Sequence, residues 1–203
     1  MKNLFSIILV LIATSLYAQD NSTYLNELNQ HRAEVNKEFG DTSTSILPKE
    51  EVLNFKHLNY YKSNPKFNIL ANFKKEIGKE FNMLTSAGKK KAFRQYGILS
   101  FKIDGQDFTL PIYQNIKLMK NEKYKDYIFI PFKDHTNGNE TYGGGRYIEA
   151  KKPTGNTYQL DFNYAFNPYC HYTTGYNCPY PPEANFLDIK IEAGEKKFKN
   201  EVH

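Results

Sequence analysis

Two periodicities divide the chain. From about Tyr24 to Phe39, Leu25, Leu28, Val35 and Phe39 recur at helical spacing, and the stripe predicts one amphipathic helix. Asn21-Ser22-Thr23 offers N-cap oxygens ahead of it and Gly40 a stop behind it. Arg32 falls in the same stripe. Either its stem packs while its head reaches water, or it meets a buried carboxylate. A second, short helix is predicted from Pro48 to Phe55, with Ser45 ahead and Pro48 in its first turn.

Beyond Tyr61 the spacing changes to two. Phe67, Ile69, Ala71 and Phe73 alternate with polar residues, as on a half-buried strand. Leu99, Phe101 and Ile103 lead into Asp104-Gly105, and Phe108, Leu110 and Ile112 lead out, a strong hairpin signal. Tyr127 to Phe132 is continuously apolar, so it is predicted to be a central strand covered on both faces. Arg146 to Ala150 and Thr157 to Asn163 flank Pro153-Thr154-Gly155 and read as a further hairpin, with Phe186 to Ile191 as a last strand. Setting Ala150 opposite Thr157 places Arg146 opposite Asp161, with Asn163 beyond. Tyr147, Tyr158, Leu160 and Phe162 then share the other face, so charges and apolar groups both match. The expected class is α+β: a mainly antiparallel, barrel-like or sandwich-like sheet with an N-terminal helix and a second short helix.

The first residues change where such a domain is expected. Lys2, the apolar stretch Leu4 to Leu16 and Leu16-Tyr17-Ala18 before Gln19 form a secretory signal over residues 1–18, although Leu16 is large for its place before the cut. The stretch is shorter than the about 20 residues a bilayer span needs. Removing 18 of 203 residues leaves 185, read as a single β-rich domain over residues 19–203. Cleavage takes the formal charge from +5 to +4, because Lys2 is the one charge removed. The excess is carried by lysines such as Lys89-Lys90-Lys91 and Lys196-Lys197, which read as a solvated face. Attraction to anionic cell-surface polymers is the other reading, and a nucleic-acid partner suits an exported chain poorly.

Several motifs together resemble one family. They are Asp134-x-Thr136-x-Gly138-x-Glu140-Thr141-Tyr142-Gly143-Gly144-Gly145-Arg146-Tyr147, Asp161-Phe162-Asn163-x-Ala165-Phe166-Asn167-Pro168-x-Cys170, Cys178-Pro179-x-Pro181-Pro182-x-x-Asn185 and Ala193-Gly194-Glu195. The set resembles the domain of unknown function 1684 family, and the likeness extends more loosely from Arg32 onward. Many relatives carry an extra stretch between the N-terminal helix and the equivalent of Leu53-Asn54-Phe55. This chain runs almost directly from Gly40 to Pro48 and resembles a short form. The resemblance implies no reaction and no ligand.

The chemistry in these motifs admits plain and functional readings. Cys170 and Cys178 are the only cysteines, and in an exported chain they are expected to form a disulfide pinning the loop from Asn167 to Pro182. A metal site from Cys170, His171 and Cys178 fits no common zinc spacing, and a reactive thiol lacks an activating partner. Gly143-Gly144-Gly145 either presents N–H groups beside Arg146 to an anion or simply turns the chain tightly into a strand. Asp134, Glu140, Asp161, Glu183 and Glu195 suit capping and ion pairing, or acid–base work if two share a pocket. Asp134 to Glu140 departs from the calcium-loop pattern at Thr136 and Gly138. No Gly-x-Ser-x-Gly or His-Glu-x-x-His motif occurs, and of His57, His135 and His171 only His135, beside Asp134, merits a chemical test. Tyr164, Tyr169, Tyr172, Tyr176 and Tyr180 form either a wall for a sugar or peptide or a lid over the sheet.

The leading expectation is a non-enzymatic exported domain that binds a small polar or anionic ligand or an envelope component. Its candidate residues are Asp134, Glu140, Tyr142, Gly144, Arg146, Asp161, Asn163 and Asn167, most of them gathered at one end of the sheet, with no cofactor or metal. The rivals are an acid–base enzyme, possibly a hydrolase, using Asp134 or Glu140 with Arg146, and a purely architectural block. N-terminal sequencing of the protein recovered outside the cytoplasm is expected to begin at or near Gln19; a cytoplasmic chain that retains Met1 would overturn the export signal.

Overall fold

The computed structural model describes residues 22–198, so the expected signal lies outside the described residues. Helix α1 occupies residues 22–40 and buries Leu28 and Phe39 of the expected stripe. Arg32 is half-buried and meets no buried carboxylate. Its Nη atoms donate to the carbonyls of Tyr61 (3.2 Å) and Asn163 (3.4 Å), and its guanidinium lies 4.5 Å from the Tyr60 ring centre. Carbonyls and a π face take the place of the expected carboxylate.

Helix α2 spans only Lys49–Val52 and does not continue to Phe55. Asn54 ends it, because its Nδ2 takes the Glu50 carbonyl (3.1 Å) while its backbone N–H bonds to Glu51 (3.2 Å).

Seven strands follow: β1 Asn68–Lys75, β2 Glu80–Leu84, β3 Lys90–Ile103, β4 Gln106–Asn115, β5 Tyr127–Phe132, β6 Arg146–Lys151 and β7 Thr157–Asp161. All pairings are antiparallel and the sheet curls into a half-barrel of order β6-β5-β4-β3-β1-β7, with β2 also on β3. The β3–β4 hairpin turns at Asp104 and Gly105, both with positive φ (51° and 81°), and pairs Leu99 with Leu110 and Phe101 with Phe108. Strand β3 bulges between Gln95 and Gly97; its first half pairs with β2 and its second with β1. Strand β2 carries no clear alternation, because Met83 alone is buried there.

Two expected elements are corrected. Strands β6 and β7 are not a hairpin; they stand at opposite ends of the strand order. β6 pairs with β5, bringing Ile148 to Ile130 and Arg146 to Phe132, while β7 pairs with β1, bringing Leu160 to Ile69 and Asp161 to Asn68. Aliphatic matches along two separate ladders thus replace the single Arg146–Asp161 charge match. The segment from Phe186 to Ile191 is not a strand. It makes one parallel bridge, Lys133 to Phe186, and inserts the buried Leu187 and Ile191 into the core.

The main core lies on one face of the sheet, with Leu99, Leu110, Ile112, Ile128, Ile130, Phe132 and Ile148 closed by Leu187, Ile191 and Ala193. Phe93, Tyr113, Phe129 and Tyr147 point to the opposite face, so β5 is covered on both sides. The Cys170–Cys178 disulfide closes the loop above that second face. Ser86 fastens it: its N–H donates to the Cys178 carbonyl (2.9 Å) and its Oγ accepts from the Cys178 N–H (3.1 Å).

Asn185 repairs a weakness that the sheet itself creates. Pro111 of β4 and Pro131 of β5 have no N–H for a ladder. Asn185, 0% exposed, donates to both their carbonyls (2.9 and 2.7 Å) and accepts from the Tyr113 hydroxyl (2.6 Å). Replacing it with Ala strands three buried groups and is expected to cost about 3 kcal/mol or more in urea unfolding; a loss under about 1 kcal/mol would show that the clamp is dispensable.

Candidate functional site

Arg146 opens β6 at a position where the chain has just turned sharply. Gly145 has φ +94°, and a Cβ there would meet the Phe132 carbonyl at 2.8 Å, so the turn needs glycine. The Gly145 N–H bonds back to Tyr142 O (3.1 Å), which favours the tight-turn reading of the three glycines over an anion nest. The Arg146 guanidinium is thereby driven under the sheet end.

Its partner is Asp134, not Asp161. Nη2 to Oδ2 is 2.8 Å, and both side chains are 0% exposed. Nη2 also donates to Ile191 O (2.8 Å), and Nη1 to Ala193 O and Glu195 O. The Phe132 ring closes one side at 5.0 Å. Asp134 Oδ1 accepts the Thr136 N–H (2.6 Å). Thus β5's exit loop, β6 and the C-terminal segment meet on one charged group. A guanidinium so enclosed reaches no cavity.

The remaining expected residues divide by what they touch. Glu140 accepts from the Tyr61 hydroxyl (3.0 Å) and lies 3.5 Å from Lys190 at the surface. The Tyr142 ring packs against His171, and a Cβ on Gly144 would strike that tyrosine at 2.3 Å. Asp161 accepts from the Tyr24 hydroxyl (2.7 Å) and from Asn163. Asn163 brackets Asn64, accepting its N–H and donating to its carbonyl (both 2.9 Å). His135 pairs with Asp188 at the surface, away from Asp134's buried carboxylate. Asp134, Glu140 and His135 therefore do not converge on a shared cavity. Cys170 and Cys178 are joined, which removes the metal reading of Cys170, His171 and Cys178; among the described residues no three His, Cys, Asp or Glu side chains form a metal-sized group.

Two adjoining clefts do exist. The first, about 300 Å³, lies beneath the cystine loop and is walled by Phe93, Tyr127, Phe129, Tyr147, Tyr169 and Tyr176, with Lys91 and Glu149 as charged groups. The Lys91 ammonium donates to Asn177 O, and burial lowers its pKa. The second, about 290 Å³, lies between α1 and the residue 163–172 segment; His31, Arg32, Tyr60, Asn163, Asn167 and Glu195 line it. Glu149, Phe166 and Tyr169 border both.

Glu195 is the most perturbed acid. It is 2% exposed, and burial lifts its pKa to about 7 against the pull of the Tyr172 hydroxyl, the Asn167 N–H (2.6 Å) and Arg146. Because the fold raises this pKa, the stability it contributes is present below the ordinary carboxylate range and is lost as pH rises through about 7.

The family of proteins of unknown function described as DUF1684 matches residues 53–196. The chain belongs to the DUF1684 family. It is also similar to an uncharacterised protein of Haloarcula marismortui known from a solution NMR structure, at 29% identity and a TM-score of 0.67, covering 91% of this chain and 99% of that one. No curated protein matches. The DUF1684 motif residues sit mostly in the framework: Asp134 and Arg146 in the sealed pair, Asn185 in the sheet clamp, and Glu195 at the cleft floor. Of the eight candidate residues, Asn163 and Asn167 line the second cleft. Lys91, Phe129, Tyr147 and Glu149 were not anticipated as site residues. Their one sequence signal was alternation: Phe129 and Tyr147 are large aromatics facing away from the main core.

Arg146→Ala and Asp134→Ala are each expected to cost about 3–5 kcal/mol, and the double variant much less than their sum, because each single change strands a buried charge. Chemical unfolding of the four proteins checks it; additive losses under about 1 kcal/mol would mean the pair is solvated.

Proposed function

We propose that this DUF1684 chain is an exported, non-enzymatic binding domain that holds a small ligand in the aromatic cleft beneath the cystine loop. The observation that carries the reading is the cleft itself: five or more aromatic rings on a rigid sheet, roofed by a cross-linked loop, with Lys91 and Glu149 as the charged groups that orient a guest. Arg146, being enclosed, does not hold an anion in this reading, and Lys91 is the cationic group at the cleft. Tyr169 and Tyr176 then serve as both wall and lid. Export is supported by the signal-like residues 1–18 and by the disulfide. Among the described residues no helix is long and apolar enough to cross a membrane.

One observation favours an acid–base enzyme instead. Glu195, poised to exchange a proton near neutral pH, lines the second cleft beside Tyr60 and Asn167. Both its oxygens are already bonded within the protein, which favours the binding reading.

Native mass spectrometry of the protein from its own source is expected to find a retained small organic molecule. Retention is expected to fall about tenfold in Tyr169→Ala combined with Glu149→Gln, since an aromatic wall and a polar handle are worth about 1–2 kcal/mol together. Undiminished retention in that variant moves the site elsewhere, and chemical conversion of the bound molecule by the intact protein would favour the enzyme.

A further inference from the structure

A third cleft, about 520 Å³, adjoins the aromatic one and is lined by Lys90, Lys91, Lys117 and Lys120 together with Asn115 and Leu118. Lys91, Asn115 and Leu118 border both, so the two cavities share one edge. None of the four lysines has a carboxylate partner among the described residues; the nearby acids Glu122 and Asp126 are committed to Lys125 and Lys152. Four ammonium groups around one concavity repel each other, an arrangement that a bound anion relieves.

Asn115 adds a donor at the junction. Its Oδ1 accepts the N–H groups of Lys117 and Leu118 (both 3.0 Å), which fixes the amide's orientation and anchors the turn carrying Lys117 and Lys120. The amide Nδ2 has no partner among the described residues. Across the aromatic cleft Glu149 supplies the opposite charge, held 3.3 Å from the Tyr127 hydroxyl. An anionic group is therefore drawn to the lysine end and repelled from the other, and the rings between accept a flat apolar body.

We infer that the lysine-lined cleft is the anion subsite of the aromatic cleft, and that the ligand is a small soluble molecule carrying a phosphate-like dianion on a flat apolar body. The inference rests on the binding reading above and assigns its ligand class. Lys90, Lys117 and Lys120 hold the dianion by charge, while Lys91, tied to Asn177 O beneath the loop, marks where head meets body.

Isothermal titration with 2-naphthyl phosphate, 2-naphthol and inorganic phosphate tests it on the intact protein. The aryl phosphate is expected to bind at least about tenfold more tightly than 2-naphthol, each surface charge contributing a few-fold. That preference is expected to vanish between about 0.01 M and about 1 M salt, as the Debye length falls from about 30 to about 3 Å. The triple variant Lys90→Gln, Lys117→Gln and Lys120→Gln changes solvent-exposed side chains and leaves Lys91 in place. It is expected to lose the preference while keeping its affinity for 2-naphthol. Equal affinity of the two naphthyl compounds in the unmodified protein overturns the anion subsite and leaves the aromatic cleft standing. Binding of inorganic phosphate without either naphthyl compound overturns the cleft reading itself. Sedimentation with phosphatidylglycerol vesicles that 2-naphthyl phosphate fails to reverse would assign the lysines to a membrane surface and overturn the small-ligand class.

Discussion

The sealed pair of Arg146 and Asp134 is the constraint on which the rest of the arrangement depends. A charge with no solvent access is tolerable only where every side of it is occupied by compensating groups. Here one carboxylate, three main-chain carbonyls and the Phe132 ring answer the two Nη atoms, and only the buried Nε is left without a hydrogen-bond partner among the described residues. Those carbonyls belong to Ile191, Ala193 and Glu195, so satisfying the charge fixes the path of the C-terminal segment. That path carries Ile191 and Ala193 into the main core and sets Glu195 on the floor of the second cleft. Framework and cavity are thus two results of a single electrostatic requirement.

The same requirement explains the division of labour between motif and cleft. The densest polar motifs are consumed internally: Asp134 with Thr136, Asn163 with Asn64, Asn185 with two prolines. Their polar atoms face each other, which makes the framework rigid and leaves little for a guest. The groups free to meet a guest come from less conspicuous stretches, the aromatic alternation of β5 and β6 and the lysines at the start of β3. Polar density in a sequence therefore marks where the chain must satisfy itself as readily as where it meets something else.

Much of the fold was legible because its signals are local. Asp104-Gly105 dictates its own turn, and the apolar run of β5 requires cover on both faces whatever lies beside it. The partnership of β6 was not legible. Pro153-Thr154-Gly155 reports that the chain changes direction, and it does so equally when the two strands go to different neighbours. A charge match at one register position could not compete with Ile148 on Ile130 and Leu160 on Ile69, which are long-range contacts with no local mark. Strand β2 escaped notice because one buried methionine makes no pattern. In the site, Arg146 was expected to pair with Asp161, but its carboxylate is that of Asp134 and three of its acceptors are backbone carbonyls, which any residue type supplies. The clefts were illegible for a related reason: their walls are assembled from α1, four strands and the cystine loop, none of which declares the cavity alone.

The dependence of Arg146 on residues 191–195 also orders events in time. Until that last stretch has arrived, the guanidinium has Asp134 but lacks its carbonyl acceptors, and the core between Phe132 and Ile148 has no lid. Nearly the whole chain must therefore be present before the sheet can close over its charge, and closure joins segments far apart in sequence, which is slow. A chain built this way completes its core only when residues 191–195 join it. Lateness of this kind is a property of the whole fold, written into one buried side chain.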